Sequence, residues 1–300
     1  MSRAQVATVG LGVPEGPVVH ADGTVSFTEQ VRGRLTRWAD GRLQEIAVTG
    51  GGPNSHAAGS DGCLYVAQNG GVVGAWRSSD PRPPGVQRVH PDGRVEAVAG
   101  DAGGRPLLAP NDLVFGPDGW LWLTDPAHAF DPVRRGAPGR LVRLGPDGAR
   151  EDVVAVGTAY CNGLAFDPSG RLLWVESYDR AVCFLDEERG RVELVRLPAG
   201  HTPDGMAVAT DGRLFIATCE SHGITVLAPD GEVLDLLVLD EDALVTNCAF
   251  APDGALWVTD FGMDWPDREA AGRLWWLETD AVGLPVGTGS LSRCASAEAT

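Results

Sequence analysis

A short turn pattern recurs six times along the chain and constrains the fold more than any other feature. Each copy has a polar start, alternating apolar residues, an Asp-Gly or Ser-Gly turn and a second apolar run, which is typical of a β-hairpin. The six copies are EGPVVHADGTVSF, NSHAAGSDGCLYV, NDLVFGPDGWLWL, NGLAFDPSGRLLWV, DGMAVATDGRLFIA and TNCAFAPDGALWV. Regular recurrence of one hairpin predicts a repeat architecture.

The spacing of the turns indicates the size of each repeat. Successive turns are 39, 57, 51, 42 and 42 residues apart, counted between Asp22, Asp61, Asp118, Ser169, Asp211 and Asp253. These values bracket the length of a four-stranded propeller blade. A second set of Asp-Gly turns, which would close the outer hairpins, starts at Asp40, Asp92, Asp147 and Asp230. The sequence therefore predicts an all-β, six-bladed β-propeller.

No linker or shift in composition divides the repeats, so we expect residues 1–300 to form one domain. QVATV near the N-terminus is predicted to close the ring as the outermost strand of the blade that TNCAFAPDGALWV begins and GRLWWLE continues. The final residues, from about Gly287 to residue 300, are expected to be a frayed tail.

Composition restricts the partners. A formal charge of −17 and a pI near 4.6 would repel nucleic acid and anionic membranes, which proteins bind mainly through Lys and Arg. The chain has no lysine, so Schiff-base catalysis is excluded. We expect a cytoplasmic protein with a small-molecule substrate, because the N-terminus lacks the apolar run of a signal peptide. The sequence leaves the oligomeric state open.

Polar residues stand seven positions before each inner turn. They are Glu15, Asn54, Asn111, Asn162, Asp204 and Thr246. Because the first strand of every propeller blade lines the central channel, these residues should form a ring about the axis. At any single position an Asn or Asp could simply bond nearby backbone. Two carboxylates and three amides in register favour a metal-binding channel.

Oxygen ligands without His or Cys suit hard cations. Calcium is our first choice for a single divalent metal, because it tolerates irregular geometry and water in its coordination shell. Magnesium, manganese and zinc are the alternatives. Two carboxylates would balance the charge of the dication.

At these residues the sequence resembles the gluconolactonase family, also called the senescence-marker-protein (regucalcin) and luciferin-regenerating-enzyme family. The motifs that carry the resemblance are PEGPVVHADG, APNDLVFGPDGWLWLTDP, CNGLAFDPSG and HTPDGMAV. The resemblance implies a six-bladed propeller with a metal held by Glu15, Asn162 and Asp204. It also implies that Asn111 contacts metal or substrate.

The resemblance implies hydrolysis of a lactone through metal polarisation of its carbonyl and attack by water. Asp204 would be the catalytic residue, as general base or as nucleophile. His128, in TDPAHAF, is the best histidine candidate for contact with substrate. Several sugar-lactone members have an arginine before the NDLVF-type strand, where this chain has Leu108, Ala109 and Pro110. That departure favours a less hydroxylated lactone or a different ester.

Two other functions remain open from the sequence. The same metal site could serve phosphotriester hydrolysis or a biosynthetic cyclisation or ring opening. Alternatively, the protein could be a non-catalytic propeller that binds calcium or another protein, since the propeller fold alone does not define a function.

Overall fold

A computed structural model describes residues 4–131, 133–262 and 271–292. Six four-stranded antiparallel sheets form the blades of a propeller, and the innermost strands of neighbouring blades contact one another around the ring. The predicted six-bladed β-propeller is therefore confirmed. Within the described ranges, no helix combines the length and apolar character needed to cross a membrane.

The strands are numbered along the chain, and β1 is Ala4–Leu11. Blade 1 contains β2 (Pro14–Val19), β3 (Val25–Glu29), β4 (Arg34–Ala39) and β5 (Arg42–Val48). Blade 2 contains β6 (Pro53–Ala58), β7 (Leu64–Gln68), β10 (Gly85–Val89) and β11 (Val95–Ala99). Two short hairpins flank this blade's outer strands, β8 (Val72–Val73) with β9 (Trp76–Arg77), and β12 (Asp101–Ala102) with β13 (Arg105–Pro106).

Blade 3 contains β14 (Leu113–Phe115), β15 (Leu121–Asp125), β16 (Gly139–Leu144) and β17 (Arg150–Gly157). Blade 4 contains β18 (Cys161–Phe166), β19 (Leu172–Glu176), β20 (Ala181–Asp186) and β21 (Gly190–Arg196). Blade 5 contains β22 (Pro203–Val208), β23 (Leu214–Thr218), β24 (Gly223–Leu227) and β25 (Val233–Val238). Blade 6 contains β26 (Val245–Phe250), β27 (Leu256–Asp260), β28 (Gly272–Leu277) and β1. Single 3₁₀ turns follow β3 and β23, at Gln30–Arg32 and Cys219–Ser221.

The recurring Asp-Gly turns fold by one local interaction. The aspartate carboxylate accepts the backbone N–H two residues further on, as Asp118 does from Trp120 and Asp253 from Ala255. The glycine between them has a positive φ, 80° at Gly119, which residues with a Cβ rarely adopt. In the fourth hairpin, where Ser169 occupies the turn, Asp167 accepts the N–H instead.

The two longest spacings between turns arise from insertions on one face of the propeller. The hairpin β8–β9 follows β7, and residues 126–138 follow β15, so both insertions come after the second strand of a blade. The ends of these second strands lie on the same face as the starts of the innermost strands. We call this face the upper face.

The N-terminus closes the ring as predicted. Strand β1 pairs antiparallel with β28, from Ala4 opposite Leu277 to Leu11 opposite Gly272. The sixth blade is thus built from both ends of the chain. This pairing holds the first and last blades together by main-chain hydrogen bonds.

The core consists of apolar clusters between neighbouring blades. Trp38 of blade 1 packs against Trp257 of blade 6 at 4.8 Å between ring centroids. Tyr65 of blade 2 meets Phe115 of blade 3 edge-on at 5.3 Å. Such buried apolar area is the main stabilising contribution in a fold that lacks a single central core.

The segment after β28 is packed rather than frayed, which corrects the expectation for Gly287 onward. Gly283 pairs with Ala209 of blade 5, and Gly287 pairs with Phe115 of blade 3. Leu291 lies buried between blades 2 and 3, and its N–H donates to the Tyr65 hydroxyl at 2.9 Å. The segment therefore crosses the lower face of the propeller at least to Ser292. The remainder of the expected tail, residues 293–300, lies outside the described residues.

Substituting Leu291→Ala should lower the free energy of unfolding by about 2 kcal/mol, because it opens a cavity between two blades. Val286→Ala, in the same segment but with its side chain 67% exposed, is the matched control and should change stability by less than about 0.5 kcal/mol. Urea denaturation of both variants tests this. Equal stability of the two variants would show that the segment does not contribute to the core.

Candidate active site

The upper face opens into a cavity of about 910 Å³ on the propeller axis. Five of the six polar residues predicted from the turn spacing line it, Glu15, Asn54, Asn111, Asn162 and Asp204. Thr246 does not line it, and its hydroxyl bonds to the Pro14 carbonyl and to Thr259. The structure therefore brings together every site residue expected from the sequence, and His128 lies on the wall of the same cavity.

An irregularity in the innermost strands aims these side chains at the axis. In blade 1 the pairing with the second strand shifts just after Glu15, and in blade 5 the shift lies between Pro203 and Met206, around Asp204. Blades 2, 4 and 6 show the same shift at the same place. A β-bulge re-aims side chains and lets consecutive residues face one side. The ring residue and its successor therefore both approach the axis.

The second strands hold the segments that lead into the ring. The Asp125 carboxylate accepts the N–H of Ala109 at 2.8 Å, and the Asp260 carboxylate accepts that of Leu244 at 2.8 Å. Glu29 and Gln68 make the same bond in blades 1 and 2, to Gly12 at 2.8 Å and to Gly52 at 2.7 Å. These four clamps fix the backbone just before Glu15, Asn54, Asn111 and Thr246.

Three carboxylates face one another without a cationic side chain. Among the described residues, Glu15, Asp112 and Asp204 form no ion pair with arginine or histidine. Burial, and then repulsion from Asp204 and Asp112, raises the pKa of Glu15 well above its usual range. Burial raises the pKa of Asp204 to about 7. The hydrogen bond from the Cys219 thiol opposes this rise, and the negative charge of Asp112 adds to it. Such a cluster is electrostatically poised to bind a cation.

Sequence reasoning missed Asp112. Each ring residue is followed by a residue that also approaches the axis, and these following residues form a second layer to which Asp112 belongs. Its carboxylate accepts hydrogen bonds from the Asn247 amide at 3.3 Å and from the Leu113 N–H at 2.9 Å. Gly205 belongs to the same layer, where a Cβ would collide with Asn247. Alternation in a regular strand would place Asp112 away from the axis, so only the bulge reveals its position.

The two cavity amides are oriented by their neighbours. Asn162 donates its amide N–H to the Ser177 hydroxyl at 3.1 Å, which leaves its carbonyl oxygen free of that bond. Asn111 donates to the Tyr160 hydroxyl at 3.4 Å. Both arrangements use the nitrogen for structure, so both amide oxygens remain as potential ligands.

Cys219 and Tyr160 are cavity residues that the sequence pattern did not single out. The Cys219 thiol donates to Asp204 at 3.5 Å, and burial followed by the charge of Asp204 raises the pKa of this thiol well above its usual range. Burial also raises the pKa of Tyr160. Both groups therefore stay protonated near neutral pH, and the Cys219 thiol acts as a hydrogen-bond donor. Tyr160 has φ of 63°, a conformation that is costly for a bulky residue and often marks functional sites.

His128 lies in an aromatic group on the cavity wall. Its ring contacts Tyr160 at 5.3 Å and stacks near Tyr178 at 6.2 Å, and Phe130 packs on both tyrosines. Nδ1 bonds the Ala129 carbonyl at 2.8 Å, which assigns the proton to Nδ1. Nε2 is buried and has no hydrogen-bond partner in the described structure. Surrounding atoms cover Nε2, so the His128 ring rather than this nitrogen borders the cavity.

The residues present fit a hard divalent cation. Across the described residues, no three His, Cys, Asp or Glu side chains form a metal-ligand group. A cation on the axis must therefore combine the carboxylates of Glu15 and Asp204 with amide oxygen, for which Asn162 and Asn111 are placed. Carboxylate and amide oxygens are the donor set that calcium and magnesium prefer.

The chain belongs to the family described as the SMP-30/Gluconolactonase/LRE-like region, which matches residues 13–262. The resemblance inferred from the motifs is thus confirmed. A gluconolactonase of Zymomonas mobilis is 30% identical over 224 residues, which is 68% of this chain and 59% of that protein. The chain therefore spans less than two thirds of the length of this curated relative.

Solved structures share the fold. A gluconolactonase from Xanthomonas campestris superposes with a TM-score of 0.73 at 22% identity, over 95% of this chain and 90% of that chain. A calcium-binding regucalcin from Agrobacterium tumefaciens superposes with a TM-score of 0.77 at 18% identity, over 97% of this chain and 98% of that chain. At these identities the similarity demonstrates a common propeller architecture.

Removing one buried carboxylate should change how stability depends on pH. The pKa of Asp204 is about 7 in the folded protein, compared with an ordinary value of 3.8. The protonated carboxyl therefore stabilises the folded protein fully below about pH 3.8, and this stabilisation is lost as the pH rises to about 7. In chelator-treated wild type, this titration should lower the free energy of unfolding by up to about 1.4 kcal/mol per pH unit. Asp204→Asn cannot titrate at this position, so it should be more stable than wild type at pH 7.

Chemical denaturation at pH 4.5 and pH 7 measures the difference. Glu187→Gln, which neutralises an exposed carboxylate in the outer hairpin of blade 4, is the control and should follow wild type. Parallel curves for wild type and Asp204→Asn would contradict the electrostatic interpretation of the ring.

Proposed function

We propose that this protein is a metal-dependent lactonase, a carboxylic-ester hydrolase acting in the upper-face cavity. Glu15, Asn162 and Asp204 hold one divalent cation, calcium being the first choice over magnesium, manganese and zinc. Asn111 and His128 contact the substrate. The observation that supports this most is the buried group of three carboxylates without an arginine, flanked by amides that can supply neutral oxygen ligands.

When bound, the cation would polarise the lactone carbonyl and stabilise the negative charge that develops on its oxygen. Asp204 is the catalytic residue. Its carboxylate lies in the cavity, where it would act either as general base towards the attacking water or as nucleophile. The Cys219 thiol bonds Oδ2 of Asp204 and so fixes the carboxylate in place.

The remaining residues bind and orient the substrate. The Asn111 amide, held by Tyr160, faces the cavity beside the carboxylates. His128 lies on the cavity wall, where its ring can pack against the substrate. The aromatic group around His128 excludes water from that side of the cavity, which strengthens the electrostatic interactions.

Family membership and the Zymomonas mobilis relative support lactone hydrolysis over phosphotriester cleavage, cyclisation or a non-catalytic role. All three alternatives would use the same cavity. We found no feature of the described residues that favours any of them.

Lactone hydrolysis should require both the cation and the ring carboxylates. Metal-stripped protein should open five- and six-membered lactones at least a hundredfold more slowly than calcium-loaded protein, and Asp204→Asn and Glu15→Gln should lose activity to a similar extent. Glu220→Gln changes a carboxylate on the same cavity wall outside the ring and should retain most activity.

Calcium titration by calorimetry gives a second measurement that does not need turnover. Wild type and Glu220→Gln should bind one calcium ion, and Asp204→Asn should bind it at least tenfold more weakly. If calcium-loaded wild type opens no lactone faster than the ring variants, the lactonase proposal is wrong.

A further inference from the structure

The cavity has two chemically different halves. The carboxylates and amides lie at its base, on the propeller axis. The walls toward the mouth carry apolar side chains, among them Val72, Val73, Leu108, Phe130, Leu244 and Phe261. A substrate whose reacting group lies at the base must place the rest of its structure against these walls.

One wall is a preformed apolar cluster. Val73 of the β8–β9 hairpin packs with Val13 and Val31, and the rings of Trp76 and Phe261 pack against this group. Val13 is fully buried, and Val31 and Val73 are nearly so. The hairpin is thereby held over blades 1 and 6. Val73 and Phe261 present the carbon atoms of this wall to the cavity.

Leu108 lines the same cavity and is held by a rigid support. Its N–H and that of Ala109 both donate to Asp125, at 3.2 and 2.8 Å. Asp125 pairs with the buried Arg140, which also donates to the Arg105 and Pro106 carbonyls. The Leu108 side chain is nevertheless 52% exposed. A leucine exposed from a rigid backbone into a cavity gains free energy when a ligand covers it.

Polar residues also line the cavity, and Asn69, Thr202 and Ser177 among them are already engaged in hydrogen bonds. The Asn69 carbonyl oxygen accepts the Gly71 and Val72 N–H groups, and its nitrogen donates to Gln30. Thr202 donates to Glu220. Ser177 donates to the Pro203 carbonyl. A ring of substrate hydroxyls would have to compete with these bonds, whereas a hydrocarbon group would leave them intact.

We infer that the site takes lactones whose ring carries a hydrocarbon substituent, in preference to polyhydroxylated sugar lactones, and that Leu108 is a specificity-determining residue. This inference rests on the lactonase function proposed above. The ester group lies at the base beside Glu15 and Asp204, and the substituent extends past Leu108 toward the mouth. Hydrolysis then releases a hydroxy acid with an alkyl or aryl chain.

The test compares three δ-lactones with calcium-loaded protein: unsubstituted δ-valerolactone, a δ-lactone with a five-carbon alkyl chain, and glucono-δ-lactone. We expect kcat/KM for the alkyl lactone to exceed that for glucono-δ-lactone at least tenfold. Leu108→Ala should lower kcat/KM for the alkyl lactone about tenfold and leave that for δ-valerolactone unchanged. Leu234→Ala removes a leucine of similar exposure, 50%, from the outer strand of blade 5 and is the matched control.

Calorimetric binding of the corresponding lactams separates the two proposals, because it needs no turnover. If the alkyl lactam binds more tightly than the hydroxylated lactam, and Leu108→Ala weakens that binding, the proposed substrate class is supported. Failure to hydrolyse any lactone would then reject only the lactonase function. Equal or tighter binding of the hydroxylated lactam overturns the substrate class. Efficient opening of glucono-δ-lactone with unchanged kinetics in Leu108→Ala would do the same while leaving the lactonase function standing.

Discussion

Four positions of the ring depend on a clamp by which a side chain at the end of the second strand holds the segment before the innermost strand, in blades 1, 2, 3 and 6. Asp125 and Asp260 each accept, through a buried carboxylate oxygen, a hydrogen bond from a backbone N–H in the segment before a ring residue. Arg140 and Arg273 balance the charges of these clamps. The carboxylates of the ring have no such partner within the described ranges. Acidic residues of one fold thus serve two purposes, one structural and the other, as we propose, to bind a ligand.

The fold and the ring could be predicted because both follow from local rules. An aspartate that accepts the N–H two residues on, followed by glycine at positive φ, makes each turn readable from the sequence. Counting back seven residues then reaches one structurally equivalent position on every innermost strand. Glu15, Asn111, Asn162 and Asp204 consequently line the same cavity, as expected.

What the sequence could not predict depends on contacts between distant segments. Asn111 and Asp112 both bond the backbone of Thr124, and this bulge breaks the alternation on which strand reasoning relies. The aromatic group joins His128 and Phe130 of an insertion in blade 3 to Tyr160, which precedes blade 4. Leu291 looked like part of a polar, glycine-rich tail, yet it fills a gap between blades whose shape no local pattern encodes.

The charge of the ring bears on the direction of the proposed reaction. A lactone is neutral, but its hydrolysis product is a carboxylate. With a dication bound, Glu15, Asp112 and Asp204 together still outweigh its positive charge when all three are ionised, and the whole chain carries a formal charge of −17. The developing oxyanion would be stabilised by its closeness to the cation, whereas the free product would be repelled by the surrounding carboxylates. A third carboxylate beneath the site, which adds nothing to the minimal ligand set, would thus favour release of an anionic product.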